Sequence, residues 1–188
     1  MIKKNILSIT ALVFSLLIIS CSNNSKFKVE KGKVGFLTQK TMVMELGEIF
    51  KKDSIVKNLS EGSTGDNYLQ DDDEYLVFEK GGKHLLTIIP KEQLDSTSTI
   101  KSIEIHDTRF ITKTGITIDS NFSEVNSNNL INRVESSLSS ATLFIDELNS
   151  TIAIDKEELG LKQIITKKVS LDQIPDLAKM KSFIVWFN

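Results

Sequence analysis

The sequence has few of the residues that carry covalent chemistry or interrupt secondary structure. Its 188 residues include one cysteine, two histidines, two prolines and one tryptophan. A lone cysteine excludes an intramolecular disulfide, so the core alone must stabilise the domain. No Gly-x-Ser-x-Gly elbow is present, which leaves nucleophilic catalysis without an anchor. The shortage of proline favours continuous secondary structure over disorder.

A strong charge of one sign is also missing. The formal net charge is −2 for the whole chain, and it becomes −4 without the first twenty residues, because that segment contains two lysines and no acid. No basic stripe is present, which argues against nucleic acid as a partner. Once the first twenty residues are removed, the remaining chain is long enough for one domain with a substantial core.

No apolar run is long enough to cross a bilayer comfortably. The longest uncharged apolar stretch is Ile6 to Ile19, whereas a membrane-spanning helix needs about 20 apolar residues. It follows Lys3 and Lys4, a pattern typical of a secretory signal. Ile18-Ile19-Ser20-Cys21 resembles a lipobox, which predicts cleavage before Cys21 and lipid attachment to its thiol. The alternative is an ordinary signal peptide with a chance cysteine.

This leader defines the predicted organisation of the chain. Residues 1–20 are a lipoprotein signal peptide, residues 21–32 a polar tether, and residues 33–188 a single α+β domain. By resemblance to known sorting rules, Ser22 favours anchoring in the outer membrane. No acidic cluster follows the cysteine, so we expect the protein to face the periplasm and to contact the membrane through its lipid.

Hydrophobic alternation predicts a mainly antiparallel sheet. Two hairpins are indicated, one across Lys80–Lys83 and one across Glu147–Ser150. Ser182 to Phe187 is apolar on both faces and predicts a buried central strand, with Trp186 as a packing residue. Further predicted strands lie at 33–37, 54–60 and 100–105.

Two or three short helices are predicted on one face of that sheet. Thr41 offers an N-cap for a helix carrying Val43, Leu46, Ile49 and Phe50, and Ser120 offers one for a helix carrying Phe122, Val125 and Leu130. Leu171 to Met180 is a third candidate, which Pro175 restricts to a short or late-starting helix.

The predicted elements recur in the same order in two stretches, 34–107 and 115–188. Thr41-x-Val43-x-Glu45-Leu46 matches Ser120-x-Phe122-x-Glu124-Val125, and Ile100–Ile103 matches Met180–Phe183. The identity is low, so a tandem duplication and the convergence of two similar pieces are equally open.

One stretch of the sequence resembles a known family. Ile100 to Asp107, then Thr112-Lys-Thr-Gly-Ile-Thr-Ile118 and Phe122, are similar to a signature of the rpoE-regulated lipoproteins, envelope proteins with a domain of unknown function. Gly35-Phe-Leu-Thr38 and the tryptophan-bearing last strand also fit. The chain lacks the additional cysteines of some members. The resemblance implies a lipoprotein with an α+β fold and brings no catalytic residues.

The two histidines are the main candidates for chemistry. His106-Asp107 has the residue types of a base and its orienting carboxylate, but adjacent strand residues point to opposite faces. We therefore expect His84 and His106 to be surface or strand-end residues, and we predict no catalytic residue. An enzyme that uses His106 with carboxylates from elsewhere remains the alternative.

No metal or phosphate site is predicted. The run Asp71–Glu74 lacks the alternating spacing of a calcium loop, which favours a solvated loop. Glu61–Gly65 has no following Lys-Ser/Thr and is a turn rather than a phosphate cradle. No cofactor is expected. Asp53-Ser54-Ile55 and Asp95-Ser96-Thr97 match a three-residue O-glycosylation pattern, with Ser54 and Ser96 as the acceptors.

Together these features predict a non-enzymatic envelope lipoprotein that binds another protein or an envelope polymer. The two alternatives are a hydrolase-like enzyme built on His106 and a structural stress-response protein without a discrete ligand.

Overall fold

The computed structural model describes residues 25–60, 72–128, 131–160 and 169–187. Within them the chain forms two sheets. A small sheet contains β1 (Lys28–Glu30), β2 (Lys33–Val34), β3 (Leu37–Thr38) and β8 (Ile111–Thr112). A large sheet contains β4 (Ser54–Asn58), β5 (Glu74–Phe78), β6 (His84–Pro90), β7 (Ile100–Ile105), β9 (Arg133–Ser136), β10 (Ser140–Ile145), β11 (Ser150–Asp155) and β12 (Met180–Trp186).

The large sheet is antiparallel throughout, in the order β4-β5-β6-β7-β12-β11-β10-β9. The strand predicted at 100–105 and both predicted hairpins are present. The central position predicted for the last strand is also observed, because β12 pairs with β7 in the middle of the sheet. The order therefore consists of two four-stranded halves that meet at β7 and β12.

One hydrophobic core lines one face of the large sheet. Residues at alternate positions of the central strands, such as Ile103, Ile105, Phe183 and Val185, are 0% exposed. The small sheet and the two helices add Val29, Leu37, Leu46 and Val125 to the same cluster. Residues of both sheets and both helices therefore share one hydrophobic cluster.

The small sheet begins earlier in the chain than the predicted domain boundary at residue 33. Strand β1 lies within the predicted tether, and its Val29 is 1% exposed. The single strand predicted at 33–37 is wrong, because Gly35 and Phe36 form a tight turn between β2 and β3. Gly35 has a φ of 59°, and a Cβ there would lie 2.3 Å from the carbonyl oxygen of Lys26. The close approach of the Lys26 backbone to this turn therefore requires glycine at position 35.

Both predicted helices with an N-cap form, but each begins one residue later than its predicted cap implies. A 3₁₀ turn at Val43–Glu45 leads into a helix at Leu46–Ile49, and the second helix spans Phe122–Asn128. The hydroxyls of Thr41 and Ser120 accept from the backbone N–H three residues earlier and so close the preceding turns. Leu130 lies outside the described residues.

The third predicted helix, Leu171 to Met180, is wrong. Only Leu171–Gln173 is helical, as a 3₁₀ turn, and Ile174 already has an extended backbone. Proline disfavours the helical conformation of the residue before it, so Pro175 ends the turn at Ile174. Ala178 then accepts the backbone N–H of Phe122, which ties this segment to the second helix.

Strands β8 and β9 were not predicted from the sequence. The first has two residues, and the second is a polar edge strand with Arg133 and Glu135 exposed. Nevertheless, the described residues are dominated by antiparallel sheet with two short helices, which confirms a sheet-rich α+β fold. None of the helices in the described ranges is long and apolar enough to span a membrane.

Candidate functional site

The second face of the large sheet is the candidate functional surface. Directly paired residues of antiparallel strands lie on the same face. One row of such pairs crosses all eight strands and contains Val56, Leu76, Thr87, Glu104, Ile184, Thr151, Phe144 and Arg133. Of these, only Thr87 and Thr151 are buried. We call this surface the open face; it also carries Phe78, His84, His106 and Trp186.

Three rings stack on the β5–β6–β7 side of the open face. The Phe78 and His84 ring centroids lie 4.7 Å apart, and those of His84 and His106 lie 3.9 Å apart with an angle of 18° between the planes. The Thr87 hydroxyl lies 2.9 Å from Nε2 of His106 and 3.2 Å from Nε2 of His84. These three rings and one hydroxyl form the histidine stack.

The histidine stack is uncharged near neutral pH. Burial, together with the positive charge that His84 would carry, lowers the pKa of His106 to about 4. Burial also lowers the pKa of His84, partly offset by its hydrogen bond with the Leu86 carbonyl. Two imidazolium rings at stacking distance would repel each other, so the stack does not accommodate both rings in the charged form.

Asp107, the carboxylate that follows His106 in the sequence, does not orient the His106 ring. Asp107 is 0% exposed and binds Arg109 at 2.8 Å and Lys83 at 2.9 Å. Burial alone would raise its pKa, but the hydrogen bonds from Arg109 and Lys83 hold the pKa far below its usual range. Glu104 is the carboxylate near the ring, at 3.9 Å from Nε2 of His106. Burial and the charge of Glu74 raise the pKa of Glu104.

A cleft of about 200 Å³ opens on the β10–β11–β12 side of the same face. The Trp186 indole N–H donates to the Thr151 hydroxyl at 3.1 Å, and the Asn149 side-chain amide donates to the Trp186 carbonyl at 2.8 Å. The residues that line this cleft are Phe144, Asp146, Asn149, Ser150, Thr151 and Trp186. We call it the tryptophan cleft.

The tryptophan cleft combines a fixed aromatic ring with polar groups at its rim. Trp186 is half-buried rather than packed in the core, which corrects the prediction for this residue. The Arg133 guanidinium lies 4.0 Å from the centroid of the Phe144 ring. Within the described residues, the Asp146 carboxylate makes no hydrogen bond or ion pair. Such a site can stack a planar or apolar group and also accept its hydrogen bonds.

The histidine stack and the tryptophan cleft occupy corresponding positions in the two halves of the large sheet. Thr87 pairs with Glu104, two residues before His106, and Thr151 pairs with Ile184, two residues before Trp186. In each half, the threonine hydroxyl meets the ring of the residue two positions after its partner. The isolated β-bridge between Met42 and Thr99 in the first half likewise corresponds to the bridge between Asn121 and Lys179 in the second half.

The other candidate residues lie away from both sites or outside the described ranges. Cys21, Asp71 and Glu61–Gly65 are outside them. Ser54, on edge strand β4, and Ser96, in the loop before β7, are both exposed. Their glycosylation stays a prediction. No group of three or more metal-ligating side chains suited to an ion occurs in the part of the chain that the structure describes.

The acidic run is not simply a solvated loop. Asp73 is 1% exposed, and its carboxylate accepts from the Ser60 hydroxyl at 2.8 Å, the Ser60 backbone N–H and the Leu94 backbone N–H. Burial would raise the pKa of Asp73, but these hydrogen bonds outweigh it and lower the pKa. The predicted solvated loop is therefore wrong for Asp73, which ties two loops together.

One signal for these sites can be read from the sequence, and another cannot. Polar residues within the apolar strands β6 and β7, such as Thr87 and Glu104, indicate a second face that is not packed in the core. The pairing of β7 with β12, which brings the two halves together, joins residues about eighty positions apart and has no local signature.

Comparison with known proteins supports the fold alone. No family model matches the chain, and no curated protein matches it. A crystal structure of the uncharacterized protein YfeY from Escherichia coli is similar, with a TM-score of 0.55 over 85% of this chain and 99% of that chain. The identity is 15%, which shows a shared sheet-rich α+β architecture and transfers no function.

Proposed function

We propose that this chain is a lipid-anchored envelope protein that binds a partner through the open face of its large sheet. The observation that carries the proposal is the tryptophan cleft, where a partly buried indole is held by Thr151 beside Phe144 and a carboxylate that has no ion-pair partner among the described residues. Tryptophan and arginine in a partly desolvated setting are the residues that dominate binding energy at interfaces.

Lipidation of Cys21 is part of this proposal. Its support is the leader sequence, with Lys3, Lys4 and a short apolar stretch before Ser20-Cys21. Mass spectrometry of the exported protein should find the thiol acylated, and a free thiol at residue 21 would contradict it. Outer-membrane anchoring facing the periplasm rests on Ser22 and the lack of a following acid.

Membership in the rpoE-regulated lipoprotein family is a further part of the proposal. The segment that carries the resemblance forms β7, the buried Asp107, the turn at Gly115 and the second helix. An internal duplication would account for the matched contacts of Thr87 with His106 and of Thr151 with Trp186. Packing of both helices against one face of the large sheet is supported by Leu46 and Val125 in the common core.

An enzyme based on His106 is the second candidate, because the Thr87 hydroxyl lies 2.9 Å from its Nε2, as a nucleophile lies next to its base. Two observations weigh against it. Thr87 is 7% exposed, and Glu104 approaches the same ring nitrogen instead of orienting Nδ1. A base with a pKa of about 4 is also poorly matched to proton abstraction at neutral pH.

Site-specific photo-crosslinking in living cells tests the binding proposal. A photoreactive phenylalanine analogue at Phe144 or Trp186 should give a discrete adduct, and the same analogue at Leu138, which is 68% exposed, serves as the matched control. Thr151→Arg, which fills the cleft, should abolish the adduct. Adducts of equal yield at all three positions, or none at Phe144 and Trp186, would contradict partner binding by this face.

A further inference from the structure

The outward face of the small sheet is rich in lysine, although the chain as a whole is slightly acidic. Register places Lys28, Glu30, Lys33 and Ile111 on this face, opposite the buried Val29 and Val34. Alternation along β8 adds Lys113, which is exposed. The chain as a whole has a net charge of −2, yet residues 25–40 contain five lysines and one acid.

Two large apolar side chains are exposed at the same face. Phe36 is 52% exposed in the β2–β3 turn, and Ile111 is 44% exposed on β8. Gly35 holds that turn against β1, since its N–H donates to the Lys28 carbonyl at 2.8 Å and no Cβ fits there. The position of Phe36 beside the lysines is thus fixed by the backbone. We call Lys28, Lys33, Lys113, Phe36 and Ile111 the basic face.

The chain enters the basic face directly from the proposed lipid anchor. Ser25 is only four positions after Cys21, and an extended chain of four residue steps reaches about 14 Å at most. The Lys28 backbone N–H turns back to the Ser25 carbonyl, so the chain enters β1 without further spacing. A lipid on Cys21 would therefore hold this sheet close to the membrane surface.

We propose that the basic face lies on the anionic phospholipid surface of the membrane in which the Cys21 lipid is inserted. The lysines would attract anionic headgroups, and Phe36 and Ile111 would enter the interface between headgroups and acyl chains. Both sheets pack on one core, so the open face of the large sheet then points away from the membrane, toward its partner. This inference deepens the proposed function and rests on the proposed lipid anchor for its orientation.

Vesicle binding by the unlipidated chain tests the surface without the anchor. All core residues lie between Val29 and Phe187, so a chain that starts at Ser22 keeps the whole core. It should co-sediment with vesicles of phosphatidylglycerol and phosphatidylethanolamine, and bind much less to pure phosphatidylcholine. Because each lysine near an anionic surface contributes about fivefold, Lys28→Gln with Lys113→Gln should weaken binding tenfold or more.

Matched controls separate this face from charge in general. Lys57→Gln with Lys91→Gln removes two exposed lysines elsewhere and should leave vesicle binding unchanged. Phe36→Ser with Ile111→Ser should also weaken binding, whereas Leu138→Ser should not. Melting curves show whether each variant is folded.

Three results would overturn the proposal: no binding to anionic vesicles, equal losses in both lysine pairs, or equally tight binding to soluble polyglutamate. None of them depends on the thiol of Cys21 or on the open face. Failure here therefore leaves the crosslinking and lipidation tests of the proposed function intact, and failure of those tests leaves the vesicle result intact.

Discussion

The two halves of the large sheet place different chemistry on corresponding positions. In the first half, His106 and Asp107 follow β7; in the second, Trp186 ends β12 and Phe187 follows it. Asp107 and Phe187 are both 0% exposed, one held by ion pairs and the other by apolar contacts. The same backbone arrangement therefore accommodates a buried, ion-paired carboxylate in one half and a buried aromatic ring in the other.

The difference extends to the open face. The His106 ring is covered by His84 and hydrogen-bonded to Thr87, so its polar atom has a partner within the protein. The Trp186 ring is bonded to Thr151 but borders a cleft. We infer that the first half stabilises the sheet and the second half binds the partner. If the roles are divided in this way, we expect the following effects of substitutions and pH, from the largest to the smallest.

The largest loss of stability should follow removal of the buried residue after each central strand. Phe187→Ala should lower the free energy of unfolding by about 3–5 kcal/mol as a large buried ring is lost. Asp107→Ala should lower it by about 2–4 kcal/mol, since several charge-assisted hydrogen bonds are lost. Urea unfolding measures both. Glu79→Ala, which removes the exposed partner of Arg109, should have a much smaller effect, and an equal effect would contradict the role of Asp107.

Between pH 6.5 and 4, acid should destabilise the protein through the two histidines of the first half. The folded pKa of His106 is lowered from 6.5 to about 4, so the unfolded state binds more protons once the pH falls below 6.5. Stability should therefore fall between pH 6.5 and 4, by about 1–3 kcal/mol. The lowered pKa of Asp107 adds a further loss only below its ordinary value near 3.8.

His106→Gln should flatten this pH dependence in urea titrations between pH 6.5 and 4.5. Trp186→Ala should leave its slope unchanged, because no titratable group is removed. A wild-type protein equally stable at pH 7 and pH 4.5 would contradict the neutral histidine stack.

The Trp186 side chain should contribute less to stability than a buried ring on the same strand. Trp186→Ala should cost less than a fully buried aromatic residue, about 1–3 kcal/mol, because the indole is only partly buried. Phe183→Ala, whose ring is 0% exposed, is the matched control and should cost about 3–5 kcal/mol. Equal losses in thermal unfolding would place Trp186 in the core and remove it as a binding residue.

The smallest effect should be at the predicted glycosylation positions. Ser54→Ala and Ser96→Ala should each change the free energy of unfolding by less than about 0.5 kcal/mol, since both side chains are exposed. If either hydroxyl is modified, its substitution should remove one glycan mass from the exported protein. An unmodified mass for the wild type would reject the O-glycosylation pattern.

The sequence predicted the large sheet better than the elements that cover it. Strand-forming runs of five or more residues located β5, β6 and β7, because such runs are long enough to show a pattern. The two-residue strands of the small sheet are too short to show a period, and Gly35 interrupts what looks like one apolar run. The N-caps at Thr41 and Ser120 were misplaced by one residue, since a hydroxyl can close a turn as well as cap a helix.

The candidate site was harder to predict than the fold. His84 and His106 are twenty-two positions apart, and their stacking depends on the register between β6 and β7. Trp186 sits in an apolar stretch that indicates burial on both faces, but the elements that cover the large sheet bury only one. Strand alternation did correctly separate His106 from Asp107.

The most direct test compares variants of the two halves in the cell that lacks the native gene. Phe144→Ala with Trp186→Ala, shown to be folded and anchored, should behave like the deletion in a graded envelope-stress readout. His106→Gln should restore nearly full function, because a general base would contribute about 10²–10⁴-fold and its loss could not be silent. The opposite pattern, with an inactive but folded His106→Gln and an active cleft variant, would contradict the account and establish the histidine stack as the functional site.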